Sequence, residues 1–153
     1  MQEAVNKKIN NAVKIMFCVM VAIFIIVITG IFTPNLGDYI SFEISFFVLG
    51  GIAVLLGIAI LILAARSGYD KIAKTFLILS SSSMAGILVG SLLHNLIYGL
   101  VIEFGRGSKI IENVGGFTEA AFFIIGTIIS PLGFIVGAIG TIVLIAKKRT
   151  LFV

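Results

Sequence analysis

Apolar residues follow one another along this chain with neither the strict alternation of a half-buried strand nor the wide polar stripe of a surface helix. Four runs, approximately residues 15–32, 42–65, 76–102 and 120–146, are long enough to cross a hydrocarbon core, which takes roughly 17–25 helical residues. Between them the chemistry changes. "TPNLGDY" carries Pro34, Asn35 and Gly37, "RSGYDK" carries Gly68, and "GRGSKIIENVGG" is rich in glycine and charge, so each break reads as a turn. A transmembrane barrel would instead show alternating segments of about 10 residues. The pattern predicts an all-α integral membrane protein, a four-transmembrane-helix bundle built as a single membrane domain.

Composition agrees: 59% of the 153 residues are hydrophobic and 12% charged, far from the roughly 45–50% and 25% of soluble domains. Lys7, Lys8 and Lys14 precede the first span as they would a signal peptide. Its apolar run nevertheless exceeds the roughly 7–15 residues of a signal core, and no small-residue cleavage site follows, so the expectation is a retained span. Cys18, the single cysteine of the sequence, has no partner for an internal disulfide or a Cys-rich metal site. "KIMFC" also lacks the small residue expected before a lipidated cysteine.

Charge adds an orientation. Lys7, Lys8, Lys14, Arg66, Lys71, Lys74, Lys147, Lys148 and Arg149 gather at the two termini and the second connection, whereas only Arg106 and Lys109 lie in the third, among Glu103, Glu112 and Glu119. The first connection has Asp38 and Glu43 and no basic residue. Because lysine and arginine of short loops stay inside, both termini are expected to be cytoplasmic. The basic residues are dispersed at span ends and not gathered into a patch interleaved with aromatics, which excludes a nucleic-acid partner.

Helical projection at about 100° per residue then separates the faces. In the third span Ser80, Ser83, Met84, Ser91, His94, Asn95 and Tyr98 share roughly one third of the circumference, a polar seam interrupted at Ile87. Ser81 and Ser82 point elsewhere, with hydroxyls able to bond back to their own helix. The fourth span gathers Gly126, Ser130, Gly133, Gly137, Gly140 and Thr141 on one arc, including the GxxxG of "GFIVG". The second repeats the device with Gly50, Ala53, Gly57 and Ala64, and the first more weakly with Cys18, Ala22 and Thr29. Small residues let helix backbones approach when lipid is as apolar as leucine, so each of these faces predicts close packing, within the chain or between copies. Pro131 cannot donate to the Thr127 carbonyl, which predicts a kink, structural or hinge-like, with Ser130 or Thr127 serving the freed group.

An ionisable residue within a span is a functional hypothesis by default. His94 offers an imidazole that can carry a proton, Asn95 both donates and accepts, and Tyr98 stacks one turn on. These residues with Ser91 read either as a protonatable or cation-binding site or as hydrogen bonds that fix helix register. Glu119 is the candidate partner of His94; its alternative is a first-turn carboxylate behind an N-cap at Thr118, favoured by the helix dipole. Glu43 joins them in a possible outward-facing acidic vestibule.

The chain contains no HExxH, P-loop or GxSxG motif, no carboxylate pair within a span, and one histidine where a b-type haem needs two. No enzyme, metal or cofactor is expected. Two functions fit: a structural, accessory or assembly subunit packing through its glycine faces, or a homo-oligomeric channel or carrier for a proton or small cation along the third-span seam. The expected partners are the lipid bilayer and either further copies of the chain or a partner membrane protein.

Overall fold

Short residues bring the long helices of this protein together, and one helix is the hub. The computed structural model describes residues 2–33, 42–105 and 108–150. They form α1 (Gln2–Phe32), α2 (Phe42–Arg66), α3 (Lys71–Phe104), α4 (Lys109–Ile124), a π-helical stretch Ile125–Ile129, and α5 (Ser130–Thr150). The segments Ala4–Gly30, Phe46–Arg66, Lys71–Phe104 and Lys109–Lys147 are long and apolar enough to cross a membrane. Pro34, Asn35 and Gly37 of the first connection, Arg106, and the side chain of Glu43 lie outside the described residues.

Each helix overruns its apolar run, and local chemistry accounts for the ends. Asp70 caps α3, its carboxylate accepting from the Ala73 N–H at 2.8 Å, so the helix starts before the apolar stretch does. α1 extends back through its polar first turns to clasp the α2–α3 turn: the Gly68 N–H donates to Asn10 Oδ1 at 3.2 Å and the Tyr69 hydroxyl donates to the Asn10 carbonyl at 3.1 Å. Burial raises the Tyr69 phenol above its usual pKa. The third connection is shorter than expected, because the segment read as a glycine-rich break is helical from Lys109. Gly115 there serves close approach instead of a turn, since a Cβ on it would strike the Val101 side chain.

The longest contact in the molecule is the antiparallel seam of α3 with α4–α5. Phe76 lies against Gly140, Ser80 against Gly137, Ser83 against Gly133, Gly86 against Ser130, Gly90 against Gly126 and Val101 against Gly115; from Phe76 to Gly90 each step of three or four residues up α3 is matched by one down its partner. At two places the backbones themselves meet. A Cβ on Gly90 would come 2.7 Å from the Gly126 Cα, and one on Gly137 would come 2.6 Å from the Ser80 N. On the other side α2 packs antiparallel on α3, with Gly57 against the Ser81 carbonyl and Gly50 against Leu88.

α1 departs from the expectation for it. Its buried side is Val13, Phe17, Met20, Ile23 and Val27, while the small residues Cys18, Ala22 and Thr29 are exposed. Large branched and aromatic side chains, not small ones, hold this helix, and Phe24 stacks on Phe134 of α5 with centroids 4.3 Å apart.

Overpacking a core typically costs about 1–3 kcal/mol, and a Cβ that meets backbone has no side chain to displace. Gly137→Ala and Gly90→Ala are therefore expected to lower stability by that amount. Gly116→Ala and Gly51→Ala, where a Cβ meets nothing within 4 Å, should be neutral or raise it by up to about 1 kcal/mol, the helix-propensity gain. Thermal unfolding in one detergent compares the four, and equal effects would refute the close-approach account.

Candidate functional site

His94 stands one turn beyond the Gly90–Gly126 contact, where the seam widens just enough for a side chain. The antiparallel register carries Glu119 of α4 opposite it. His94 Nδ1 lies 3.4 Å from the Glu119 carbonyl oxygen and 3.6 Å from Oε1 of the same residue, and each side chain is 24% exposed. Both neighbours of Nδ1 are acceptors, so this nitrogen carries a proton and the hydrogen bond runs from it to the carbonyl. The Phe123 ring sits 5.2 Å from the imidazole and Tyr98 stacks at 6.5 Å with an interplanar angle of 22°.

The other expected site residues do not converge on this pair. Asn95 is exposed and donates to the Ser91 carbonyl of its own helix at 2.8 Å, and half-exposed Tyr98 covers one side of the imidazole. Among the described residues no three histidine, cysteine or acidic side chains group closely enough to hold a metal ion. What remains is a histidine–carboxylate pair able to hold one proton between two elements, flanked by aromatic rings.

No family model, curated protein or solved structure matches this chain.

Glu119 is not a first-turn carboxylate. α4 begins ten residues earlier, Thr118 Oγ1 donates back to the Val114 carbonyl at 2.7 Å, and the dipole's influence is confined to the first turn of a helix. Contact with His94 is what the structure offers this carboxylate in place of the cap. Pro131 is accommodated without breaking the helix: the Ser130 N–H bonds to the Ile125 carbonyl five residues back, and the Thr127 hydroxyl donates to Phe123 O at 2.6 Å. Thr127 thus serves a carbonyl in the last turn of α4 and not its own, while Ser130 faces Gly86.

Toward the basic end the seam is shut. Ser80 is buried and donates to the Phe76 and Leu77 carbonyls at 3.0 and 3.1 Å, and its backbone abuts Gly137. The interruption assigned to Ile87 is occupied by Gly86 and Gly90, which the projection overlooked although "GILVG" is itself a GxxxG. Ser82 bonds back to Ile78 and Leu79 as expected. Ser81 does not: it is buried, and its hydroxyl, like that of Thr141 on α5, has no hydrogen-bond partner.

Two measurements follow from these contacts. Polar contacts between membrane helices average about 0.6 kcal/mol and reach about 1.7; a double-mutant cycle with His94→Gln and Glu119→Gln should give a coupling energy in that range, and strict additivity would remove the contact from the account. Leaving a buried hydroxyl unpaired costs about 1–3 kcal/mol, so Ser81→Ala and Thr141→Val are expected to raise the unfolding midpoint, not lower it.

Proposed function

We propose that this chain is a multi-pass membrane protein with both termini cytoplasmic, acting as a structural or accessory subunit that presents the far end of α3–α4 to a partner membrane protein. The carrying observation is a mismatch of lengths. Continuing the Gly50–Leu88 pairing back to the first residue of α2 brings Phe42 level with Leu96. α3 runs on to Phe104, about 12 Å further at 1.5 Å per residue. The apolar run of α3 itself measures about 40 Å, against a hydrocarbon core of about 30 Å.

The overhang is not polar, as a surface in water would be. Phe104, Ile110, Val114 and Phe117 are 66%, 76%, 63% and 78% exposed. Excess hydrophobic length is relieved by tilt, by local thickening of the bilayer or by association with another protein. Independent tilt of α3 is opposed by its close contacts with α2 and α5. The glycine faces cannot supply the partner surface, since Gly50, Gly57, Gly126, Gly133, Gly137 and Gly140 are all occupied by α3. Orientation rests on the clustering of both terminal segments and the α2–α3 turn at one end, which holds most of the lysines and arginines. No catalytic role is proposed.

The second reading, a homo-oligomeric carrier or channel for a proton or small cation, draws on the His94–Glu119 contact. Because the α3 seam is closed below Gly90, any path would have to run between copies.

Native-mass measurement after mild extraction decides between the two. A foreign subunit in fixed proportion is expected, and Val114→Glu with Phe117→Glu should release it while leaving stability within about 0.5 kcal/mol, as exposed substitutions do. A homogeneous homo-oligomer whose ion flux is abolished by His94→Gln would replace this reading with the second.

A further inference from the structure

The misplaced small face of α1 has a use. Cys18 and Ala22 line a groove between α1 and α5, of about 640 Å³, with Phe17 and Ile25 on one wall and Ile142 and Ile145 on the other. The volume falls within the roughly 300–1,000 Å³ typical of small-ligand sites. Its walls are apolar with one exception, Lys14, which stands at the end nearest the basic terminal segments. Exposed Lys147 follows immediately after Ala146, the last α5 residue of the lining.

Length fits as well as volume. From Ile25 to Lys14 the groove runs eleven residues of helix, about 16 Å, and one leaflet of a hydrocarbon core is about 15 Å deep. Above Phe17 the Phe24–Phe134 stack joins the two helices; below it α1 and α5 leave the cleft open to the side. An apolar, laterally open cleft of one leaflet's depth with a cation at its headgroup end matches one molecule. We propose that the α1–α5 groove binds an acyl chain of an anionic glycerophospholipid of the cytoplasmic leaflet, with its phosphate held by Lys14. Basic pockets between membrane helices on that side are where anionic headgroups bind. The small side chains of Cys18 and Ala22 leave room for the chain. This inference rests on the bilayer placement and orientation proposed above, but not on the accessory role.

The test uses the full-length protein in detergent with added phosphatidylglycerol or phosphatidylcholine, read by native mass spectrometry. One phosphatidylglycerol per chain should be retained in preference to phosphatidylcholine. Lys14→Gln should weaken that retention about fivefold, the effect of one surface cation on anionic lipid. Ala22→Phe, which fills the groove without touching the charges, should reduce retention of both lipids. Equal retention of the two lipids by the unaltered protein, or retention indifferent to Lys14→Gln, overturns the proposal. So does efficient Cys18–Cys18 cross-linking in vesicles, which would give the groove to a second copy. Resistance of the vesicle-bound protein to alkaline extraction is measured in parallel, so that a failure of bilayer insertion is told apart from a failure of the lipid site.

Discussion

The backbone contact between Gly90 and Gly126 is the constraint from which the rest of the molecule follows. Where the surroundings are as apolar as the side chains, burying apolar area between helices gains little, and attraction comes from dispersion and short polar contacts. Dispersion decays steeply with separation, so only backbones that approach closely hold each other firmly. With glycine or serine at nearly every crossing from Ser80 to Gly90, and facing them from Gly137 to Gly126, a slip by one residue would set side chains against backbone. The seam therefore fixes register as well as distance. The π-helical stretch at Ile125–Ile129 lies inside it, and its extra residue per turn lets α4 and α5 keep their small positions on one side of a helix that contains Pro131.

That register produces the His94–Glu119 contact as a consequence. Both residues lie one to two turns beyond Gly90–Gly126, on the first stretch where the helices are held apart by side chains. The pair is separated from the basic end by the closed seam, and the serines that looked like its continuation are structural: Ser80 bonds to its own helix and Ser83 faces Gly133. Polar residues on one arc of α3 were thus two things, packing residues below Gly90 and, above it, a histidine that meets Glu119 of α4.

Much of this was legible in the residues. The four apolar runs and the packing faces of α2 and α5 follow from periodicity, while the pairing of His94 with Glu119 was one of two readings of that carboxylate, the other being a first-turn position behind Thr118. Projection, however, says which residues share a face and not what the face meets. For that reason Cys18 and Ala22 looked like a packing surface when they point away from the core, and Ser81 looked peripheral when it is buried toward α2. Gly86 and Gly90 were hidden because attention to polar positions passed over glycines between them. The start of α4 was obscured for a different reason: Gly115 carries the composition of a turn, while its cause is the approach of Val101, which no local reading contains.

α1 is held differently from the other helices, and the difference locates the protein's unmatched surfaces. α1 is fastened by the Asn10 clasp at one end and by Phe24 on Phe134 further along. Between these anchors Cys18 and Ala22 of α1 face a cleft whose α5 side is Ile142 and Ile145. α3 and α4 have the opposite condition: they are zipped so tightly that their common length cannot shorten, and the excess emerges as an apolar end beyond α2. Loose packing leaves an apolar groove within the bundle's outline, and tight packing leaves apolar surface at its far end. Both follow from where the glycines fall.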